Sequence, residues 1–201
     1  MYSTKELKEL IKSIDDYEPN LVLAIKQFTK SYIFKTNEEL KEAVTIWCSN
    51  KDECLKKYGH ISNWDVSLIT DMKKLFYVKK DFNDDISRWN VSNVTNMRNM
   101  FDRAYNFNQP LNNWNVSNVT YMNGMFKEAK SFNQPLNNWN VSNVTNMICM
   151  FQEAINFKQP LNEWNVSSIT HIHSIFKNIN NNNLWCIYDF IKNSWNKIIY
   201  T

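Results

Sequence analysis

The sequence predicts an α/β solenoid: a right-handed array of stacked coils, each with a short parallel strand and a short helix, capped by helices at both ends. Three observations predict it. Trp64, Trp89, Trp114, Trp139 and Trp164 recur every 25 residues. Residues 132–156 repeat residues 107–131 at 19 of 25 positions, and a fixed period of roughly 20–50 residues marks stacked units rather than a globule. Hydrophobic residues make up 43% of the 201 and aromatics 14%, enough to fill a continuous core.

Taken in order, residues 1–35 read as an N-terminal helical segment. Ser3-x-x-Glu6 precedes an apolar stripe of Leu7, Leu10, Ile11 and Ile14, and a second helix is predicted over 20–31. Residues 36–60 read as a helical N-cap. Thr36-x-x-Glu39 has the spacing of a capping box, and Leu40, Ala43, Val44 and Trp47 share one helical face. A shorter helix over 51–58 is closed by Gly59.

Residues 61–179 hold five repeats. Leu111-x-x-Trp114-x-Val116 has the L-x-x-L-x-L spacing of a leucine-rich repeat, and Trp and Val two residues apart share one face of a strand. Val119, Met122, Met125, Phe126 and Ala129 follow as the apolar face of a short helix, with Thr120 or Ser117 available to cap it. Stacking should lay each indole over the one before. Two polar columns run beside it: Asp65, Asn90, Asn115, Asn140 and Asn165, and Ser67, Ser92, Ser117, Ser142 and Ser167. Their amides and hydroxyls are expected to hydrogen-bond from coil to coil. Residues 180–201 open on four asparagines and continue with Leu184, Ile187, Tyr188, Ile191, Trp195 and Ile198 at helical spacing, read as a C-terminal cap.

Composition excludes several function classes. Net charge is +3, with 20 Lys and 3 Arg, which provides no basic face for nucleic acid. The aromatics at 25-residue spacing read as core rather than base-stacking platforms. No run reaches the roughly 18 apolar residues of a membrane span, and no secretory leader is recognisable at the start. An intracellular, cytoplasmic protein and a monomer are expected. Cys48, Cys54, Cys149 and Cys186 fit no zinc or redox spacing and read as reduced, mostly buried thiols. The abundance of Asn, Lys and Ile points to an AT-rich genome.

The frame Met-Phe-x-x-Ala-x-x-Phe-Asn-Gln-Pro-Leu-x-x-Trp-Asn-Val-Ser-x-Val-Thr-x-Met resembles the 25-residue repeat of BspA-like leucine-rich-repeat proteins over about residues 34 to 179. The Trp-rich variant is catalogued as a domain of unknown function and is familiar from surface lipoproteins of wall-less bacteria and from large DNA viruses. Glu39 to Val44 through Trp64-Asp-Val-Ser67 resembles the entry cap of such arrays. The resemblance implies a gently curved solenoid used for adhesion or protein interaction, with no catalytic residues to carry over. The missing signal and lipobox favour an intracellular setting, the host cytoplasm if the source is viral.

A non-catalytic protein-binding scaffold is therefore expected, with no cofactor and no metal. The strand positions opposite in phase to Trp and Val are Asn63, Asp65, Arg88, Asn90, Asn113, Asn115, Asn138, Asn140, Glu163 and Asn165. They form the expected partner strip, and Arg88 and Glu163 give it most of its individuality. Its uniformity also suits a plain structural spacer. An enzyme using Cys149 and His173, placed on neighbouring coils by the period, is the remaining alternative, and scarce glycine argues against such a shaped site. Seven N-x-[ST] sequons, at Asn90, Asn93, Asn115, Asn118, Asn140, Asn143 and Asn165, follow from the repeat itself.

Overall fold

The computed structural model describes residue 25 and residues 29–179. The helix expected over 7–14 lies outside these residues, and of that expected over 20–31 only Ile25 and Thr29, which are helical, and Lys30 and Ser31, which are not, are described. The cap expected over 180–201 and Cys186 lie wholly outside them.

The N-terminal cap is built as its sequence directs. Thr36 precedes α1 (Asn37–Ser49), and its Oγ1 accepts the N–H of Glu39 at 3.1 Å. The return half of the capping box is redirected: Glu39 Oε2 accepts the N–H of Lys35 at 3.0 Å, and its other oxygen accepts the Tyr32 hydroxyl. Leu40, Ala43, Val44 and Trp47 are the buried face of α1. Asn50 ends α1 through its own N–H, and its side chain caps α2 (Lys51–Tyr58) by accepting from Glu53 N–H. Gly59 then takes φ 76°, a left-handed value for which glycine has no steric penalty. The cap seats on the first repeat through aromatics: Phe34 lies 4.9 Å and Trp47 5.8 Å from Trp64.

The repeats overturn the predicted α/β class. Among the described residues there is no β-strand and so no sheet, and no helix lies within 64–179. Parallel pairing among the described residues is limited to single bridges: Ile33–Asp65 where the chain enters the first repeat, and Asp71–Asn96, Asn96–Tyr121, Tyr121–Asn146 and Asn146–His171 between repeats. The four between repeats fall in the Thr-x-Met stretch, where a helix was expected, and Ile33–Asp65 alone of the five touches an Ile-x-x-Trp-x-Val stretch, where a strand was expected. A leucine-rich-repeat coil of strand and helix is therefore not what this chain forms.

Each unit is instead a succession of four-residue turns that begin and end on buried apolar residues. Trp114 N–H donates to Leu111 O, Val119 to Val116, Met125 to Met122, Ala129 to Phe126 and Phe132 to Ala129, all at 2.9–3.1 Å. Every one of these residues is buried. The three-residue spacing that imitates a helical face thus comes from consecutive turns. Two residues per unit also have positive φ, at positions 74 and 78 and their equivalents, including Asn99, Arg103, Glu128, Cys149 and Glu153. Left-handed residues four apart cannot sit in an α-helix. No helix exists for Thr120 or Ser117 to cap; Thr120 N–H donates to Thr95 O and the Ser117 hydroxyl to Asn115 Oδ1.

The backbone groups that a helix would pair internally are shared between units. Met97, Asn99, Phe101 and Arg103 donate their N–H groups to Tyr121, Asn123, Met125 and Lys127 O at 2.8–3.0 Å. The intervening Met100, Asp102 and Ala104 close turns within their own unit. The same alternation recurs from 72 to 78, 122 to 128 and 147 to 153.

Side chains stack in the same register. Trp64 and Trp89 lie 6.2 Å apart at 15°, and Trp139 and Trp164 lie 6.4 Å apart at 2°. Indole N–H groups of Trp89, Trp114, Trp139 and Trp164 donate to Ile61, Ile86, Leu111 and Leu136 O of the preceding unit. Gly59 O does the same for Trp64. Two phenylalanine columns lie beside the indoles, Phe76-Phe101-Phe126-Phe151-Phe176 at 5.3–5.7 Å and Phe82-Phe107-Phe132-Phe157 at 5.8–6.0 Å.

Two details depart from the thiol and polar expectations. Only Cys54 of the three described cysteines is buried; Cys48 is exposed and Cys149 half-buried. Burial pushes the Cys54 thiol up to about 12. Asp102 is a buried carboxylate, 5% exposed, whose Oδ2 accepts from Asn99 Nδ2 at 2.8 Å while Oδ1 has no partner. Burial raises its pKa. A Cβ on Gly124 would stand 2.4 Å from that same Asn99 nitrogen, so glycine here leaves room for the amide that holds Asp102.

Trp114→Ala is expected to cost about 3–5 kcal/mol in a denaturant melt, since it opens a cavity in the column and removes an inter-unit hydrogen bond. An unchanged midpoint would contradict the packing. Asp102 holds its proton more tightly folded than unfolded, so its favourable contribution is complete at acid pH and lost as pH rises through its folded pKa. Asp102→Asn should therefore stabilise the chain by about 1 kcal/mol at neutral pH. That gain should vanish in melts near pH 3.

Candidate functional site

The expected partner strip survives as an exposed row, although not as a strand face. Arg88, Asn90, Asn113, Asn115, Asn138, Asn140, Glu163 and Asn165 are exposed, and Asn63 and Asp65 are half-buried. They flank the buried indoles on turns. The expected ladder from amide to amide is absent here: Asp65, Asn90, Asn115, Asn140 and Asn165 each use Oδ1 to accept the N–H of the serine two residues on, at 2.9–3.2 Å. Those contacts lock each unit's own turn.

Unit-to-unit polar columns lie elsewhere. Asn93, Asn118 and Asn143 donate their side-chain amides to Ser67, Ser92 and Ser117 O at 2.7–2.8 Å. Asn83, Asn108 and Asn133 accept through Oδ1 from the backbone N–H of Asn108, Asn133 and Lys158 at 2.8–3.0 Å. Gln109, Gln134 and Gln159 add their amides to the same acceptors. The reason Asn-Gln precedes Pro-Leu in the repeat is this column. The sequence shows the recurrence, but only the fold shows which group answers which.

At the N-terminal end, Asn63, Asp65, Arg88 and Asn90 come together with Ser31 and Ser67 around an open polar depression of about 490 Å³. Arg88 makes no ion pair with another described residue. A second depression of about 490 Å³ lies between the end of α1 and the first repeat, lined by Trp47, Cys48, Lys79 and Asp84. Its Asp84 is a clasp, accepting from Trp47 Nε1 at 2.8 Å and Lys51 Nζ at 2.7 Å.

A third surface is formed by the bridge positions. Asp71, Asn96, Tyr121, Asn146 and His171 occupy one column, and Lys73, Arg98, Asn123, Ile148 and His173 the next, on either side of buried Met72, Met97, Met122, Met147 and Ile172. The sequence reading, which placed these residues on a helix, did not single out this surface.

Comparison with known proteins adds a family. The profile described as "Mycoplasma protein of unknown function, DUF285" matches residues 47–147 and again 95–190. The chain belongs to this family. No curated protein and no solved structure matches it.

In this DUF285 chain, Cys149 and His173 do come to adjacent units, with Cys149 N–H donating to His173 O at 3.2 Å. The contact is between backbones. His171 Nδ1 is paired with the Thr170 hydroxyl at 2.8 Å. Among the described residues, no group of three or more His, Cys, Asp or Glu is placed to hold a metal ion. No helix among them is long and apolar enough to cross a membrane.

Asn118→Ala removes an inter-unit bond, whereas Asn115→Ala loosens only a local turn. The first should lower stability by about 1 kcal/mol more than the second, read as the difference between two denaturant midpoints. Equal losses would show that the Asn118 amide does not bridge units.

Proposed function

We propose that this DUF285 chain is a non-catalytic protein-binding module, used for protein–protein interaction or adhesion. The observation that carries the reading is a row of outward side chains on turns fixed on one side by Trp backbone N–H to Ile or Leu O and on the other by Asn or Asp Oδ1 accepting Ser N–H. Side chains on such a support lose little freedom when a partner docks, and that lowers the entropic cost of association. The recurring frame also favours kinship with BspA-like proteins, whose resemblance implies adhesion and protein interaction. The three described cysteines are unpaired, which supports a reducing, intracellular setting.

The docking residues proposed first are the strip of Asn63, Asp65, Arg88, Asn90, Asn113, Asn115, Asn138, Asn140, Glu163 and Asn165. Arg88 is its sharpest feature, an exposed guanidinium beside a polar depression, with no ion-pair partner among the described residues. A structural spacer is the second reading, favoured by the uniformity of the strip, which is asparagine at all four positions of the third and fourth units.

Affinity capture of the full chain from its native cells tests the choice. A specific protein partner is expected, and Arg88→Glu with Glu163→Lys should weaken its capture about tenfold or more. A partner indifferent to both changes would remove the strip from the account. Capture of no specific protein would favour the spacer.

A further inference from the structure

Resting on the protein-binding reading above, we infer that the bridge face is a second docking surface beside the asparagine strip and takes an acidic protein segment that carries an aromatic or aliphatic residue. The first argument is variation within the chain. Five stacked units present the same serine at 67 and its equivalents and the same threonine at 70 and its equivalents. The threonine column satisfies backbone groups, with Thr95, Thr145 and Thr170 hydroxyls donating to Thr70, Thr120 and Thr145 O. The two bridge-face columns instead read Asp, Asn, Tyr, Asn, His and Lys, Arg, Asn, Ile, His. From the second unit on, the carbonyls at these positions accept the same inter-unit N–H groups throughout. Asp71, Asn96 and Asn146 also hold the N–H of Lys73, Arg98 and Ile148, so the changes that the turn does not account for are Tyr121, His171 and the second column.

The second argument is charge. Lys73 and Arg98 are neighbours on adjacent units, and neither forms an ion pair with a described residue. The nearby Asp71 is committed to the fold: Oδ1 accepts the N–H of Lys73 at 2.6 Å, and Oδ2 accepts the Asn96 amide at 3.2 Å. Two uncompensated cations at one end of a face select carboxylates. Tyr121 follows one unit further on, 48% exposed, with half-buried Ile148 on the next unit. An exposed tyrosine on a rigid support is the residue type that anchors protein interfaces.

The order of these groups separates a peptide from a nucleic acid. Phosphate recognition gains from cations repeated along the whole track. Here positive charge ends after Arg98, and amide, phenol and aliphatic groups take over. A segment with carboxylates on one side of an apolar residue matches that order.

Selection of random peptides displayed on phage against the full chain is the test. Selected sequences should carry Asp or Glu clustered to one side of an aromatic or aliphatic residue. Synthetic versions should bind Lys73→Glu/Arg98→Glu and Tyr121→Ala about tenfold or more weakly, and Lys158→Glu, an exposed change on neither face, unchanged. Peptides without acidic bias, or acidic peptides indifferent to the bridge-face changes, would overturn the inference. So would tighter binding of a DNA oligonucleotide that Lys73→Glu/Arg98→Glu abolishes. A native partner captured equally by wild type and the bridge-face variants defeats this docking face while leaving the protein-binding reading intact. Failure to capture any partner defeats the reading itself.

Discussion

Alternation of backbone donors between neighbouring units is the constraint on which the rest of the structure depends. Along 97–103 every second N–H reaches the next unit, and those between close turns within their own. Such a pattern consumes polar groups in two directions at once, so a path made almost wholly of turns can be buried against its neighbours. It also requires left-handed residues twice per unit, at positions such as Asn99 and Arg103. Each costs on the order of 1 kcal/mol for a residue with a Cβ. The inter-unit bonds at 2.8–3.0 Å and the stacked rings offset that cost.

Packing follows from the same register. Because units are aligned residue for residue, Trp lies over Trp, Phe over Phe and Met over Met, and the core is a set of parallel columns. The indole N–H, the one polar group in the Trp column, reaches the Leu or Ile carbonyl one unit back, so a large amphipathic side chain is buried without an orphaned donor. The cap continues this logic, with Gly59 O substituting for the missing unit. Asp102 is the exception, a carboxylate in a column otherwise occupied by Tyr77, Lys127, Gln152 and Lys177.

Much of this was legible in the residues. The period, the inward Trp and Val, and the cap helices with their Thr36 and Gly59 signals could be read directly. The local conformation of the repeats could not. Val119, Met122, Met125, Phe126 and Ala129 have the spacing of a helical face, and turns with buried first and fourth residues give the same spacing. What distinguishes the two is left-handed backbone at residues such as Glu128 and Glu153, which carry no sequence mark of it. The strip at Asn113 and Asn115 was correctly placed on the surface, but its asparagines hold turns rather than forming a ladder. The bridge face went unnoticed because Tyr121 and Arg98 fell on a presumed helix.

Through-hydrogen-bond NMR couplings on the labelled full chain test the central claim most directly. The alternating pattern predicts that Phe101 N couples to the carbonyl carbon of Met125, one unit ahead. Coupling to the carbonyl carbon of Met97, as an α-helix requires, would contradict the architecture and both proposed binding faces built upon it.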